Sequence, residues 1–318
     1  MQVDFVKCHG SGNDFPLIDA RAIALSDAGW SRVAIALADR RGPVGGDGLL
    51  LLTEGGAGAA FGMRMFNSDG SEAETCLNGL RCVARMGFAA LGIERATVHL
   101  KASLAEVARD AAIAPGVYTV RATAGPADLD AGRWIGRLES HENVERAIPA
   151  LASARRFTAI SMPNPHLVSF VERVDEAELS AIGARCEAAP DWLPGRANVS
   201  FVEVRGPDTL FVRTFERGVG LTDSCGSAMA ASAFAACLTE RATFGAALTI
   251  LNKGGLVRAA AEADGMVSLS GNATWEWEGS AAIDLAHARA GNVTVTRHFN
   301  DEIAAWAALA DGAAAEAA

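Results

Sequence analysis

The amino-acid sequence predicts an α+β protein built from two similar, pseudo-symmetric domains. Short apolar runs typical of strands occur along the whole chain, with a few segments of helical periodicity between them. A unit consisting of a strand, a polar loop, a cysteine and a helix occurs twice, around Cys76 and around Cys225, which lie about half the chain apart. Because such a repeat is typical of related domains, we expect an active-site cleft at their junction.

The composition is that of a globular protein and argues against several classes of partner. The chain has 318 residues, 50% of them hydrophobic and 21% charged, which is enough for two ordinary domains. A net charge of −10 and only three lysines argue against nucleic acid and anionic membranes. No membrane-length apolar run, secretory signal or disulfide-scaffold spacing is visible. We therefore expect a cytoplasmic protein with reduced thiols.

The first half of the chain alternates predicted strands with two glycine-rich turns. Strands are predicted at residues 3–7, 15–19, 49–52, 61–67, 97–102 and 117–122. The turns lie at residues 9–14 and 42–48, where glycines allow the backbone to approach a ligand closely. The second turn is not a phosphate loop, because no Gly-Lys-Ser/Thr sequence follows it.

Two helices are predicted in this half. Ser26 is a suitable N-cap for a helix that runs to about Arg40, with Trp30, Val33, Ala34 and Leu37 on one face. The second helix follows Cys76, because apolar residues recur there on one face at helical spacing: Leu80, Val83, Ala84, Gly87, Phe88 and Leu91. Cys76 therefore stands at a junction between a strand and a helix.

The second half repeats this alternation, although residues 123–156 give no clear pattern. Strands are predicted at residues 157–162, 167–171, 198–204, 209–216, 246–251, 256–261, 266–270 and 274–278. Helices are predicted at residues 175–187, after Cys225, and as a peripheral helix from Glu302 to the C-terminus. Two prolines fix the backbone around Asn164, beside His166, which suits a binding site and a structural kink about equally well.

The two cysteines suggest a chemistry. A cysteine at a helix N-terminus is exposed to unpaired N–H groups and the helix dipole, which favour the thiolate, although a packed core residue is the alternative for either one alone. Inverting an amino-acid α-carbon needs a base on one face and an acid on the other, and a thiolate with a thiol meets both needs. The helix N-termini would stabilise the substrate carboxylate. Glu216 and His166 are candidates for keeping one thiol protonated and the other ionised.

A cofactor is not expected for this reaction. Pyridoxal phosphate, the usual alternative, requires a lysine that forms a Schiff base. None of Lys7, Lys101 and Lys253 stands in a convincing site. We therefore expect a small amino-acid substrate, no cofactor and no metal.

Several spaced motifs resemble one known family. They are His9-Gly10-Ser11-Gly12-Asn13-Asp14-Phe15, Gly45-Gly46-Asp47-Gly48, Phe66-Asn67-Ser68-Asp69-Gly70-Ser71-Glu72, Cys76 with Asn78-Gly79, Asn164-Pro165-His166, Asn198, Glu216-Arg217-Gly218 and Cys225-Gly226-Ser227. In this order they resemble the diaminopimelate epimerases, cofactor-independent isomerases that interconvert LL- and meso-diaminopimelate for lysine and cell-wall precursor biosynthesis. The resemblance covers about residues 3–279.

The resemblance implies a fold of two small barrel-like sheets, each around a central helix, with the last segment returning to the first domain. The implied domains are residues 1–115 with about 271–318, and residues 116–270. The catalytic thiols would be Cys76 and Cys225, with His166 and Glu216 tuning their pKa values. The implied substrate-binding residues are Asn13, Gly48, Asn67, Leu77, Asn78, Asn164, Asn198, Glu216, Arg217, Gly226 and Ser227.

Within that set, the resemblance gives different tasks to different residues. Backbone N–H groups at Leu77, Asn78, Gly226 and Ser227 would hold the α-carboxylate. The far end of the substrate would meet Asn67, Asn164, Asn198 and Arg217, and Arg217 can bind a carboxylate through two parallel hydrogen bonds.

The chain departs from the family pattern at three places. Leu77 stands where glycine is usual, Ala228 and Met229 stand where glycine and another small residue are frequent, and an extension follows Gly279. Two other functions therefore stay open: a racemase of another amino acid on the same fold, and a thiol redox switch through Cys76 and Cys225. A homodimer is kept open as the assembly.

Overall fold

In the computed structural model, which describes residues 1–135 and 144–317, the chain divides into two compact units. Unit 1 comprises Met1–Ala122 and Ser270–Ala310. Unit 2 comprises Thr123–Leu269 and the chain from Asp311 onward. The predicted domain boundaries and the predicted cleft stay predictions. Within the described residues, no helix is both long enough and apolar enough to span a membrane.

The two units are built from strands and a few helices. The strands are β1 (Gln2–Gly10), β2 (Asn13–Asp19), β3 (Gly48–Glu54), β4 (Phe61–Asn67), β5 (Glu72–Ala73), β6 (Arg95–His99), β7 (Leu104–Arg109), β8 (Thr119–Ala124), β9 (Arg146–Ala147), β10 (Arg156–Ser161), β11 (Pro165–Phe170), β12 (Asn198–Val204), β13 (Thr209–Glu216), β14 (Gly220–Thr222), β15 (Leu248–Asn252), β16 (Gly255–Ala261), β17 (Val267–Asn272), β18 (Thr274–Asp284) and β19 (Arg289–His298). The α-helices are α1 (Asp27–Ala38), α2 (Leu77–Leu91), α3 (Glu176–Glu187), α4 (Gly226–Leu238) and α5 (Asn300–Ala317). Short 3-10 turns lie at Ala131–Arg133 and Pro149–Leu151, in the stretch without a clear sequence pattern; residues 136–143 of that stretch lie outside the described residues.

The strand pairing of unit 1 is repeated in unit 2. In unit 1, β1–β2 is antiparallel, β2–β3 parallel, β3–β4 and β4–β5 antiparallel, β4–β6 parallel and β6–β7 antiparallel. In unit 2, β10–β11 is antiparallel, β11–β12 parallel, β12–β13 and β13–β14 antiparallel, β13–β15 parallel and β15–β16 antiparallel. The helices also fall at matching places in the two series. The predicted α+β class with two similar domains is confirmed.

Each unit surrounds one helix with its strands and packs a second helix on the outside. The outer helix α1 buries its predicted face, Trp30, Val33, Ala34 and Leu37, against the strands. In unit 2 the outer helix α3 does the same with Leu179, Ile182 and Cys186. The central helices are α2 in unit 1 and α4 in unit 2. They are more deeply buried than the outer helices, and α4 is buried at every residue from Gly226 to Cys237.

The predicted apolar face of α2 is buried from Leu80 to Phe88, but burial is not confined to that face. In α2, polar and small residues around the whole circumference are buried along with the apolar ones. Leu91, predicted to be on the packed face, is 42% exposed because the last turn of α2 reaches the surface before the helix ends at Gly92. Glycine and alanine are frequent in both helices, and they let the surrounding strands approach the helix backbone from every side.

The C-terminal extension forms a hairpin and a docked helix. Strand β18 runs past the predicted end and pairs with β19, which the sequence analysis did not predict because almost all of its side chains are exposed. Strand β7 was also missed, since it buries only alternate small residues such as Ala105 and Val107. The last helix, α5, lies at the surface as predicted, with most of its described side chains exposed, and Glu302 at its start forms an ion pair with Arg85 of α2 at 2.5 Å.

The turn between β1 and β2 packs directly against α2. A Cβ atom at Gly10 would lie 2.6 Å from the carbonyl oxygen of Asn78 and 3.0 Å from Nη2 of Arg81. The first of these contacts is with backbone, which cannot swing away. Glycine at this position therefore sets how closely the first motif approaches the start of α2.

We expect Gly10→Ala to lower the free energy of unfolding by about 1–3 kcal/mol, because the added methyl group overpacks the turn against α2. The measurement is urea-induced unfolding of the full chain. The control is Gly291→Ala in strand β19, where a Cβ atom meets nothing within 4 Å. Equal stability of the two variants would contradict the close approach described here.

Candidate active site

In unit 1, Cys76 is the N-cap of the central helix α2. Its backbone is extended, and its Sγ accepts a hydrogen bond from the backbone N–H of Gly79 at 3.3 Å. The thiol is partly exposed, and its Sγ donates a hydrogen bond to Oδ1 of Asn13 on β2 at 3.8 Å. The N–H groups and the dipole at a helix N-terminus stabilise a thiolate at this position.

A charged network orients Asn13. Its Nδ2 donates to Oδ2 of Asp47, so its Oδ1 is the atom turned towards Cys76. Arg40 donates to Oδ1 of Asp47 at 2.7 Å and to both carboxylate oxygens of Asp14. Burial acts against ionisation of Asp14, but hydrogen bonds from Arg40 and a lysine outweigh it and lower the pKa of this carboxyl. The sequence analysis quoted Asp47 in a motif without giving it a role.

Asn67 and Gly48 face each other where two strands end. They are paired across β3 and β4, and Nδ2 of Asn67 donates to Oγ of Ser71 at 2.9 Å. A Cβ atom at Gly48 would lie 2.2 Å from the carbonyl oxygen of Phe66. Glycine is therefore required at position 48 for strand packing, whether or not substrate approaches it.

The two residues after Cys76 begin the central helix. Leu77 is its first residue and is buried, so its side chain is accommodated by ordinary helical backbone. Asn78 is also buried, and its Oδ1 accepts a hydrogen bond from Nη2 of Arg81 at 3.0 Å. The other atypical residue, Met229 in α4, is buried and accepts a hydrogen bond at its sulfur from Asn252 at 3.1 Å.

In unit 2, Cys225 is the N-cap of the central helix α4. Its backbone is extended like that of Cys76, but its thiol is buried, 3.6 Å from Oγ of Ser227. Burial, followed by the negative charge of Glu216, raises the pKa of the Cys225 thiol well above its ordinary value. This cysteine is therefore protonated at neutral pH.

Glu216 ends strand β13, and Arg217 follows it. Glu216 accepts a hydrogen bond from the hydroxyl of Thr222 on the neighbouring strand. The backbone N–H of Arg217 donates to Oδ1 of Asn198 at 2.9 Å, and its Nη1 donates to the carbonyl oxygen of Gly195 at 3.1 Å. Asn198 thus fixes the position at which the Arg217 side chain leaves the strand.

His166 acts on Asn164 rather than directly on a thiol. Its Nε2 donates to Oδ1 of Asn164 at 3.0 Å, and Nδ2 of Asn164 donates to Oγ of Ser227 at 3.2 Å. Burial, and then the positive charge of Arg217, lower the pKa of His166 to about 3. The imidazole is therefore neutral at pH 7, and a hydrogen-bonded chain links it through Asn164 and Ser227 to Cys225.

The structure thus places the candidate residues in two groups, one in each unit. Unit 1 holds Asn13, Gly48, Asn67, Cys76, Leu77 and Asn78, and unit 2 holds Asn164, His166, Asn198, Glu216, Arg217, Cys225, Gly226 and Ser227. Within residues 1–135 and 144–317, no cluster of three or more His, Cys, Asp or Glu side chains is arranged to hold a metal ion. The networks around Asp47 and Arg81 were not predicted, because their contacts join segments far apart in sequence.

Comparison with solved structures defines the class of protein. A hydroxyproline epimerase from Agrobacterium vitis, with bound trans-4-hydroxy-L-proline, matches with a TM-score of 0.63 at 13% identity, covering 89% of this chain and 92% of that chain. This chain therefore shares the fold of that protein. At this identity the likeness shows the fold alone.

Sequence comparison then identifies the family. A family model for diaminopimelate epimerase matches residues 5–120 and 158–276. The diaminopimelate epimerase of Clostridium acetobutylicum is 37% identical over 290 residues, which are 89% of this chain and 87% of that protein. The enzyme of the same name from Enterococcus faecalis is 37% identical over 310 residues, 93% and 94% of the two chains. The chain belongs to the diaminopimelate epimerase family of isomerases, which confirms the predicted resemblance.

We expect the buried neutral His166 to make the protein sensitive to acid. Its pKa of about 3 lies below the value of about 6.5 for an unfolded histidine, so the unfolded state binds more protons between these values. Stability is therefore present above about pH 6.5 and falls as the pH drops towards 3, by up to about 1.4 kcal/mol per pH unit for this group.

His166→Gln keeps a donor near the Nε2 position without a titrating group, so the decline in unfolding free energy between about pH 6 and pH 4 should be shallower by up to this amount. The check is urea unfolding across that range. The control is His298→Gln at an exposed position. If the unfolding free energy of His166→Gln declined with falling pH as steeply as that of the unchanged protein, His166 would not be held neutral in the folded state.

Proposed function

We propose that this protein is a diaminopimelate epimerase that interconverts LL- and meso-diaminopimelate by proton transfer to and from Cys76 and Cys225. The observation that carries the proposal is that each unit has a cysteine as the N-cap of its buried central helix. Membership of the family supports the substrate. Among the described residues no disulfide joins any of the six cysteines, which suits a thiol mechanism in the cytoplasm, where thiols stay reduced. The reaction would serve lysine and cell-wall precursor biosynthesis.

In the proposed reaction, the two thiols act on opposite faces of one α-carbon. Cys76, with Sγ accepting the N–H of Gly79, removes the proton as a thiolate. The electron pair left on the α-carbon is delocalised into the substrate carboxylate. Cys225, kept protonated by burial and by Glu216, donates its proton to the other face. The reverse reaction begins with the opposite protonation states.

The helix N-termini are suited to binding the α-carboxylate on which charge accumulates. The first residues of α2 are Leu77 and Asn78, and those of α4 are Gly226 and Ser227. Their N–H groups have no acceptor within their own helix, since they belong to its first turn. Fixed N–H donors at this point stabilise the transition state without having to reorganise during the reaction.

We assign the far carboxylate and amino group of the substrate to Arg217 and three asparagines, Asn67, Asn164 and Asn198. Arg217 is partly buried, and one of its five N–H donors meets the carbonyl oxygen of Gly195. Its backbone is held by Asn198. A guanidinium positioned in this way favours a substrate that carries a second carboxylate.

Cys76→Ala and Cys225→Ala should each lower the rate of epimerisation of LL-diaminopimelate by about 100-fold or more, because each removes one of the two proton-transfer groups. The measurement is α-proton exchange in deuterated water together with formation of the meso isomer. The control is Cys237→Ala, which removes a buried thiol from the same helix α4. Epimerisation at the full rate by either Cys76→Ala or Cys225→Ala would contradict the two-thiol mechanism.

Arg217→Met should raise KM for diaminopimelate by about 10- to 100-fold, since a charged hydrogen-bonded contact to the distal carboxylate is lost. Steady-state kinetics with diaminopimelate and with amino acids lacking a second carboxylate make the comparison. The control is Arg156→Met at the exposed start of β10. Turnover restricted to amino acids without that carboxylate would instead favour a racemase of another amino acid.

A further inference from the structure

We propose that Arg81, a buried arginine on helix α2, is a positioning residue whose positive charge holds Cys76 as the thiolate. This rests on the proposed function, because it explains which of the two thiols begins as the base. Arg81 does not touch the substrate in this proposal. Its task is electrostatic, and it is exerted on the helix N-cap from beneath the first turns of α2.

The hydrogen-bond partners of Arg81 are all neutral. Nε donates to the carbonyl oxygen of Asn272 at 3.0 Å, and Nη2 donates to Oγ of Ser11 and Oδ1 of Asn78, each at 3.0 Å. The side chain is fully buried, and Nη1 meets no acceptor among the described residues. Within this part of the chain no carboxylate forms an ion pair with Arg81. A buried charge of this kind is costly unless a negative charge lies near it.

The fold treats the next arginine of α2 differently. Arg85 lies one turn further on and is neutralised by Glu302 of α5, at 2.5 and 2.8 Å. On the neighbouring strand β2, Asp14 is in turn neutralised by Arg40, at 2.5 Å. The carboxylates of Glu302 and Asp14 are therefore already paired with other arginines and do not balance the charge of Arg81.

Among the described residues, the ionisable groups whose charge interacts with Arg81 include a histidine and two cysteines. His9 on β1 is neutral, because burial lowers its pKa to about 4. Burial also lowers the pKa of Arg81, to about 10, so it stays charged at neutral pH, and the groups that act to raise it are Cys82 and Cys76. Cys82 is fully buried beside Cys8, whereas Cys76 is partly exposed and accepts an N–H at its sulfur. Cys76 is therefore the group suited to carry the negative charge.

The repeated fold provides an internal comparison. Each cysteine is the N-cap of the central helix in its unit, so the fifth residue after each occupies the same helical position. That residue is Arg81 in α2 and the buried Ala230 in α4. The corresponding strands β4 and β13 end in neutral Asn67 and in Glu216, at the same spacing from the cysteine of each unit. One thiol thus has a positive neighbour and the other a negative one.

The test is a titration of the Cys76 thiol in the full-length Cys225→Ser protein without substrate. The rate of alkylation by iodoacetamide is followed against pH, and the modified residue is identified by peptide mass spectrometry. We expect a Cys76 pKa below the ordinary value of about 8.5. Arg81→Met should raise it by about one unit or more, while Arg81→Lys should keep it low because the charge is retained.

The matched control is Ser11→Ala, which removes one hydrogen bond from the Arg81 guanidinium and leaves its charge in place. A purely structural role would make Ser11→Ala and Arg81→Met alike in the titration and different only in stability. In the protein with both catalytic thiols, the acid limb of kcat/KM should shift to higher pH in Arg81→Met by the same amount, so part of the lost activity returns in alkaline buffer.

Two results would overturn the proposal. One is a Cys76 pKa at or above its ordinary value in the protein with Arg81 intact, which is read without any change at that residue and so does not depend on whether Arg81→Met folds. The other is an unchanged Cys76 pKa in folded Arg81→Met. If the Cys76 pKa is lowered as expected but the protein does not epimerise diaminopimelate, only the proposed function is contradicted.

Discussion

Burial of a helix on all sides is the constraint on which the rest of this structure depends. In α2 and α4 the backbone is satisfied along the helix axis, while the N–H groups of the first turn need an acceptor from outside the helix. The cysteine N-caps stand at these ends. Strong donors, a favourable dipole and a low-dielectric surrounding therefore coincide at the same point in each unit. Small residues along both helices make this arrangement sterically feasible.

A repeated scaffold gives the same geometry twice but need not give the same electrostatics. The strand pairings correspond throughout the two series, whereas the residues around the two thiols do not. Glu216 stands where unit 1 has Asn67, and the neutral His166 is linked to Cys225 through Asn164 and Ser227. A reaction that needs both an acid and a base can be served by two units with corresponding strand pairings, provided that a few side chains near the two thiols differ.

Local signals predicted much of the fold and part of the candidate site. Patterns within short stretches of sequence predict three of these features: the strand-to-helix junctions at Cys76 and Cys225, the strands β12 and β13, and the outer helix face around Trp30. Periodicity could not show that α2 and α4 are covered on every side, because α2 has a clear apolar face whose opposite side is also buried, and α4 consists mostly of small residues with a weak pattern. Strand β19 has little apolar content to detect. Asp47 and Arg81 were missed because their roles come from contacts with Asn13, Ser11 and Asn272, which only the folded chain brings close.

The discontinuity of unit 1 sets an order on its synthesis by the ribosome. Strand β1, the first to emerge, pairs along most of its length with β18, which lies near the end of the chain. Glu302, the partner of Arg85, emerges later still. The chain from Thr123 to Leu269, by contrast, is continuous and is complete before either arrives. The segment from Thr123 to Leu269 can therefore form its central helix and thiol during translation, before the strand that pairs with β1 and the partner of Arg85 have been made.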